Sequence, residues 1–228
     1  MITRIIAAIC ALVVSPVVAI SALAIKVASP GPAVFRTPRA GKDGEVFTMY
    51  KLRTMHRGPV GDARITSRDD ERVFAIGRWL RRLKLDELTQ LVNVVRGEMA
   101  IVGPRPEDPS IVEDQYTPFM RESLGVRPGL TSPGSLAYYA DEAMLPSDPV
   151  AAQNLYFAEL LPRKIALDMV YVQNRSRRYD AELVIRTICG LVGVHGLFPE
   201  HQRWEQREAQ RLLRESHSPS ARGPDGAR

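Results

Sequence analysis

The strongest constraint on this chain is its first segment. From Ile5 to Ile25 every residue is apolar except Ser15, Pro16 and Ser21, and the run is bracketed by Arg4 and Lys26. Its 21 residues suffice to cross a hydrocarbon core, which needs roughly 20 helical residues. A soluble amphipathic helix would show one apolar stripe; here the apolar surface runs all round. Pro16 lacks an N–H and crowds the carbonyl four residues back, so the spacing predicts a bend near Ser15-Pro16. Three arrangements fit: a kinked span, a helix that enters and returns on one side, or a signal peptide, the last drawing on the small-residue site Ala22-Leu23-Ala24. One positive charge at each end gives no orientation.

The remaining composition is that of an ordered domain with an appendage: 228 residues, 45% hydrophobic and 25% charged. Net charge is +5, yet residues 36 to 85 hold thirteen Lys/Arg against six Asp/Glu, a local +7. Such a patch suits a phosphate site or an anionic membrane surface. Cys10 and Cys189 read as buried free thiols of a reducing compartment, without a disulfide. The four histidines, His56, His195, His201 and His217, have no ligand spacing. There is no phosphate-binding P-loop, no Gly-x-Gly-x-x-Gly and no Gly-x-Ser-x-Gly, which removes those nucleotide and hydrolase classes.

Ser29-Pro30-Gly31-Pro32 ends the apolar run, and Val34 to Tyr50 reads as two short strands around Gly41-Lys42-Asp43-Gly44. Val73, Ile76, Leu80 and Leu83 predict a helix whose arginines, Arg72, Arg78, Arg81 and Arg82, lie largely off the apolar stripe. A second helix is expected to begin between Leu85 and Glu87, with Leu88, Leu91, Val92 and Val95 as its stripe. Residues 103 to 149 read as an ordered Pro/Gly-rich loop with a short helix over Ser110 to Leu124. Pro162 suits a helix N-terminus, continued by Ile165, Ala166, Met169 and Val172. Leu183 to Phe198 is apolar enough for core or membrane interface, and after Glu200 a polar, basic tail predicts a frayed helix and then disorder.

The chemistry concentrates at Asp86-Glu87, which follow Arg78, Arg81 and Arg82 and precede the stiff turn Val102-Gly103-Pro104-Arg105-Pro106. Taken alone, an Asp-Glu pair opening a helix is a cap, an arginine cluster is a solvated face, and Arg105 anchors a turn. Taken with Tyr50-Lys51-Leu52-Arg53-Thr54-Met55 and Val126-Arg127-Pro128-Gly129-Leu130-Thr131, the pattern puts fixed cations beside constrained backbone. Carboxylates among cations suggest phosphate chemistry, with the acids supplying a nucleophile and a metal ligand while the arginines hold an anionic substrate. Two other classes stay open: a membrane-anchored basic protein gripping anionic lipid or nucleic acid without turnover, and a soluble nucleotide-binding enzyme, which leaves the apolar segment unexplained.

Over roughly residues 4 to 190 the chain resembles the bacterial sugar transferases, small monotopic polyprenyl-phosphate phosphoglycosyl transferases. The resemblance rests on Ser15-Pro16, Gly31-Pro32 with Phe35-Arg36, Lys51 to Met55, Gly77-Arg78 through Arg82, Leu85-Asp86-Glu87-Leu88, Gln90-Leu91, Asn93-Val94 and Gly97-Glu98-Met99. It continues through Val102 to Pro106, Arg127 to Thr131, Leu161-Pro162 and Tyr171-Val172-Gln173-Asn174. It implies an α+β, mainly helical fold: a re-entrant membrane helix over residues 1–30, broken at Ser15 and Pro16, on a cytosolic catalytic domain over 31–199 with amphipathic interfacial helices, and a flexible tail over 200–228. It implies transfer of a sugar 1-phosphate from a UDP-sugar to undecaprenyl phosphate with release of UMP, at the cytoplasmic face of the bacterial inner membrane, as the first membrane step of surface glycan synthesis. Asp86 is then the nucleophile and Glu87 the Mg²⁺ ligand, with Lys51, Arg53, Arg81, Arg105 and Arg127 holding phosphates. Membrane lipid becomes a partner, nucleic acid does not, and a homo-oligomer stays open. Two departures stand out: Thr89 replaces a frequent Pro, and Thr131-Ser132-Pro133-Gly134 replaces a frequent Thr-Gly, which leaves the sugar open. The start, Met1-Ile2-Thr3-Arg4, lacks an acidic residue and extra basic ones common in relatives, as a trimmed or misassigned start would.

Overall fold

The computed structural model describes residues 2–56, 70–141, 145–194 and 197–217; His195 and the disorder expected at the end of the tail lie outside them. Helix α1, Ile2–Ala28, runs unbroken through Pro16. The helical run continues on both sides of Ser15-Pro16, where the bend is expected, and the reason is local. Pro16 cannot donate to the Leu12 carbonyl, but the Ser15 hydroxyl donates to that oxygen at 2.8 Å. Along α1, Ala7, Ser21 and Ile25 are buried and Ala11, Val14, Val18 and Ala22 partly so, a stripe at helical spacing that packs on the domain over the helix's whole length. The other faces expose Ile5, Ile9, Leu12, Val13, Ile20, Leu23 and Val27. Among the described residues it is the one helix long and apolar enough to cross a membrane. Cys10, on this helix, is exposed rather than buried as expected; it and Cys189 are free thiols.

Strands β1 (Val34–Ala40) and β2 (Val46–Leu52) form the expected antiparallel hairpin, Val34 opposite Leu52 and Ala40 opposite Val46. Asp43 and Gly44 turn it with φ of 57° and 81°, a left-handed pair that Asp tolerates and Gly favours. Helix α2 (Ala75–Arg82) presses its backbone on the segment after β2: a Cβ on Gly77 would lie 2.2 Å from the Thr54 carbonyl oxygen. Leu83, expected on the buried stripe, is 45% exposed, because α2 has ended and Lys84, at φ 52°, redirects the chain.

The segment Leu85–Gln90 is a 3₁₀ turn rather than the start of an α-helix; α3 begins at Leu91, runs to Arg96 and closes on Gly97 at φ 84°. Val92 is 42% exposed and the buried positions are Leu91, Asn93 and Val94. A polar joint displaced the predicted stripe: Asn93 Nδ2 donates to the Thr48 carbonyl and to Glu98 Oε2, both at 2.7 Å, and Oδ1 accepts from Tyr50 N–H at 3.2 Å. Asn93 thereby fixes α3 against β2.

Strand β3 (Ala100–Val102) pairs in parallel with β4 (Gly129–Thr131). Between them the single helix expected over Ser110 to Leu124 is two, α4 (Pro109–Gln115) and α5 (Pro118–Arg121), capped by Asp108 and Thr117, each with Pro in its first turn. Helix α6 (Pro133–Asp141) is capped by Ser132, whose Oγ accepts from Ser135 N–H. Helix α7 (Pro149–Leu155) runs through a π turn, Tyr156–Leu160, into α8 (Leu161–Gln173). The widened turn accommodates Pro162, which opens α8 as expected but interrupts a longer helix. Helix α9 is Arg177–Leu191 and α10 is Pro199–His217.

The flexible tail expected from residue 200 is, through His217, a docked helix: α10 packs Ala209 and Leu212 against the cluster around α8 and buries Glu205. Glu205 accepts from Arg186 at 2.7 and 3.0 Å and from the Tyr179 hydroxyl at 2.6 Å. The fold is mainly helical with two small sheets. One core surrounds α8; a second joins α1, β2 and α3 through Ala7, Met49, Leu91, Val94 and Met99. Asp86 and Glu87 lie beside the second core, facing the turn after β3.

Candidate active site

Three elements converge on the acidic pair. The 3₁₀ turn brings Asp86 and Glu87, β2 brings Lys51, and the turn after β3 brings Arg105. The Lys51 ammonium stands 2.9 Å from Asp86 Oδ2 and 3.4 Å from Glu87 Oε1. Arg105 grips Glu87 with both arms of its fork, at 2.7 Å to Oε1 and 3.3 Å to Oε2, and reaches the Tyr139 hydroxyl at 3.4 Å. Asp86 is 1% exposed, yet neither of its carboxylate oxygens has a hydrogen-bond donor. Lys51 is close enough for an ion pair but stands outside hydrogen-bonding geometry.

The two acids therefore occupy different environments. Burial alone would raise the Glu87 pKa; the charges of Arg105 and Lys51 outweigh it and hold the carboxyl well below the usual carboxylate range. Glu87 is ionised and firmly held, whereas Asp86 is buried with unspent acceptor capacity. Because the turn is 3₁₀ and α3 starts only at Leu91, the acids do not open an α-helix. The charge balance comes from side chains instead.

The other predicted cations are distributed. Arg81 Nε donates to Thr54 Oγ1 at 2.9 Å. Arg53 is buried and spends its guanidinium on the end of α1, donating to Ser29 Oγ, Ser29 O and Pro30 O at 2.7 to 2.9 Å. Arg127 is exposed, while its backbone carbonyl crowds Gly103, where a Cβ would come within 2.5 Å. The structure thus brings together Lys51, Asp86, Glu87 and Arg105, and sets Arg53 at the end of α1.

A glycine-tight crossing of β3 and β4, an acid pair in a short turn and a Pro-Arg-Pro turn form one unit, and the bacterial sugar transferase family model matches residues 1–193. The chain belongs to that family. Its similarity to individual members is spread over most of its length. It is 38% identical to a UDP-glucose:undecaprenyl-phosphate glucose-1-phosphate transferase of Caulobacter vibrioides, over 78% of this chain and 63% of that one. It is 34% identical to a UDP-N-acetylgalactosamine-undecaprenyl-phosphate N-acetylgalactosaminephosphotransferase of Aeromonas hydrophila, over 76% of this chain and 38% of that one. With the exopolysaccharide production protein PSS of Rhizobium leguminosarum bv. phaseoli it shares 31% identity over 78% of this chain and 86% of the relative. The first two of these relatives are longer: the chain spans 63% and 38% of their length.

In this bacterial sugar transferase several site residues escaped the sequence reading. Lys84 stacks its ammonium 3.7 Å over the Tyr139 ring. Glu107, Tyr156, Lys164 and Asp168 form a buried polar group behind Arg105. A signal was present: Lys164 and Asp168 are one helical turn apart inside the run Leu161 to Tyr171, where only apolar residues would be expected. Burial pushes the Asp168 carboxyl up to about 6, even though the charge of Lys164 and the Gly134 N–H, which donates to it at 2.9 Å, act the other way.

Proposed function

We propose that this sugar transferase moves a sugar 1-phosphate from a UDP-sugar to undecaprenyl phosphate, releasing UMP, by way of a covalent intermediate on Asp86. The observation that carries the reading is the Asp86 carboxylate: fully buried, unbonded by any donor, and beside a lysine. A carboxylate satisfied by hydrogen bonds is a poor nucleophile; one held by a single ion pair keeps a lone pair available for phosphorus. In the first step an Asp86 oxygen bonds to the sugar-linked phosphorus, and the bond from that phosphorus to the bridging oxygen breaks, its electron pair leaving with UMP. In the second, an oxygen of the lipid phosphate attacks the same phosphorus and the carboxylate departs regenerated. Two transfers between anions replace one, with Lys51 and Arg105 offsetting charge on the phosphates.

The donor set fits Mg²⁺. Mg²⁺ binds through one or two carboxylates and completes its shell with phosphate and water oxygens, so a single protein carboxylate here would serve it. Glu87 would hold it: of roughly four acceptor positions on a carboxylate, Arg105 takes two and Lys51 one. Bound there, the ion would neutralise charge on the donor's diphosphate.

The helix α1 supports a one-sided membrane placement, which we propose is on the cytoplasmic face. Arg4 at its start donates to the Val95 and Arg96 carbonyls, and Arg53 grips its end, so both ends are tied to the same domain. Its exposed apolar face can be covered by lipid while the domain stays on one side. There a soluble nucleotide-sugar and a lipid phosphate can meet at Asp86. The expected product is the lipid-linked first sugar of a surface glycan.

The test is UMP release by the protein in detergent, with undecaprenyl phosphate, Mg²⁺ and a panel of UDP-sugars. One or more sugars should give UMP with the wild type, none with Asp86→Asn, and Glu87→Gln should lose Mg²⁺-dependent turnover. No UMP from any donor, together with salt-sensitive binding of anionic vesicles that Asp86→Asn leaves intact, would make the protein a basic membrane binder instead.

A further inference from the structure

Helix α8 is buried on nearly every side, and Leu161, Ile165, Ala166, Leu167, Met169 and Val170 account for that burial. Lys164 and Asp168 do not. A charge in an apolar helix is costly unless paired, so their partners say what they are for. The partner of Lys164 lies in the one turn that carries Arg105. The Lys164 ammonium forms an ion pair with the Glu107 carboxylate, two residues past Arg105. The Tyr156 hydroxyl donates to the same Glu107 oxygen at 2.8 Å and accepts from Lys164 at 3.0 Å. The Asp168 carboxylate takes the backbone N–H of Gly134, at 2.9 Å. From the opposite side, Ala40 N–H bonds the Glu107 carbonyl at 2.9 Å.

We infer that Lys164, Glu107 and Tyr156 are positioning residues that hold the Arg105 fork in register with Glu87. The inference rests on the proposed role of this site in phosphoryl transfer. Pro104 and Pro106 flank Arg105 and fix the backbone on either side of it, so the turn moves as a stiff piece and the fork moves with it. Its place is then set by its anchors, and the deepest of these is the Lys164–Glu107 pair. The π turn fits the same purpose, since it brings Tyr156 onto the face that carries Lys164. Stability alone gives little reason for the arrangement, because a buried ion pair can be replaced by apolar residues at little cost. A displacement of about 1 Å at a reacting centre can cost on the order of a hundredfold in rate.

Tyr156→Phe, Lys164→Met and the double variant Lys164→Met/Glu107→Gln test this, each with Arg105 intact and with Arg105→Ala. Measured are kcat and KM for the UDP-sugar in UMP release, the melting temperature, and modification of Arg105 by phenylglyoxal read by peptide mass. Lys164→Met should lower kcat by about a hundredfold and Tyr156→Phe by about tenfold, with smaller changes in KM. The double variant, which leaves no unpaired charge, should regain the melting temperature but not the turnover. With Arg105→Ala none of the three should slow the enzyme further, since the residue they position is gone. Unchanged kcat in Tyr156→Phe and Lys164→Met, recovery of turnover in the double variant, or losses that add to that of Arg105→Ala would each overturn the inference. The phenylglyoxal measurement needs no turnover: Arg105 should react faster in Lys164→Met than in the wild type, and equal rates overturn the positioning role. A wild type that releases no UMP from any donor overturns the function instead, and the modification rates still decide this point.

Discussion

Arg105→Ala is the perturbation whose effect the geometry fixes most closely. In the wild type the fork meets Glu87 at 2.7 and 3.3 Å, and the Glu87 side chain is 11% exposed. Breaking a buried pair from one side costs on the order of 3–5 kcal/mol. Here Lys51 stays 3.4 Å from the same carboxylate and Arg105 is partly open to water, so the low end applies, about 3 kcal/mol. For a domain of this size that corresponds to a melting temperature lower by roughly 6–12 °C. The loss has a definite pH dependence. Arg105 and Lys51 depress the folded-state pKa of Glu87, so their stabilisation is fully present above the ordinary carboxylate pKa and fades as pH falls through the lower folded value. The gap between wild type and Arg105→Ala should therefore be widest near neutral pH and narrow steadily below about pH 4.5. Scanning fluorimetry in detergent from pH 7.5 to 4 measures it. A shift under 2 °C (about 1 kcal/mol or less), or one that does not change with pH, would refute the claim that this pair is a held, ionised carboxylate.

Asp168 gives the opposite sign. Its carboxyl is pushed up to about 6 from 3.8, so the folded state binds its proton more tightly and stability falls as pH rises between those values, by about 3 kcal/mol in all. Asp168→Asn should lack this component: the stability difference between it and the wild type should change between pH 4 and 6 and level off above, and a flat difference in denaturant titrations would contradict the assignment. Gly77→Ala should lower the melting temperature by several degrees, because the added methyl would lie 2.2 Å from the Thr54 carbonyl oxygen and α2 would have to move off the segment after β2. An unchanged melting temperature would show that the approach relaxes freely.

The clustering of the candidate site residues was largely legible in the sequence, for a physical reason. Lys51, Asp86, Glu87 and Arg105 sit in short stretches with stiff neighbours, where the chain has few ways to point a charged side chain. The hairpin was legible too, since Gly41 to Gly44 supply the left-handed turn it needs. The helical period misled where polar side chains did the packing. Asn93 displaced Val92 from the buried face of α3, and the Leu85–Gln90 turn buried Asp86 and Gln90 at a spacing that is not α-helical. The continuity of α1 depended on one hydroxyl, Ser15, answering the carbonyl that Pro16 leaves bare. Arg53 shows the limit of counting cations: its guanidinium went to the end of α1, a partner 23 to 24 residues away in sequence that no local pattern displays. The group behind Arg105 was hidden for the same reason, because Lys164 and Glu107 are 57 residues apart.

The central claim is that Asp86 carries the sugar phosphate. The most direct test is intact-protein and peptide mass measurement after rapid mixing with a UDP-sugar that supports turnover, without lipid acceptor. Up to one UMP should be released per chain, with a mass gain equal to one sugar phosphate on the peptide bearing Asp86 and loss of that gain on adding undecaprenyl phosphate. Turnover with no adduct at any time, and an Asp86→Asn variant that releases UMP at the wild-type rate, would contradict it.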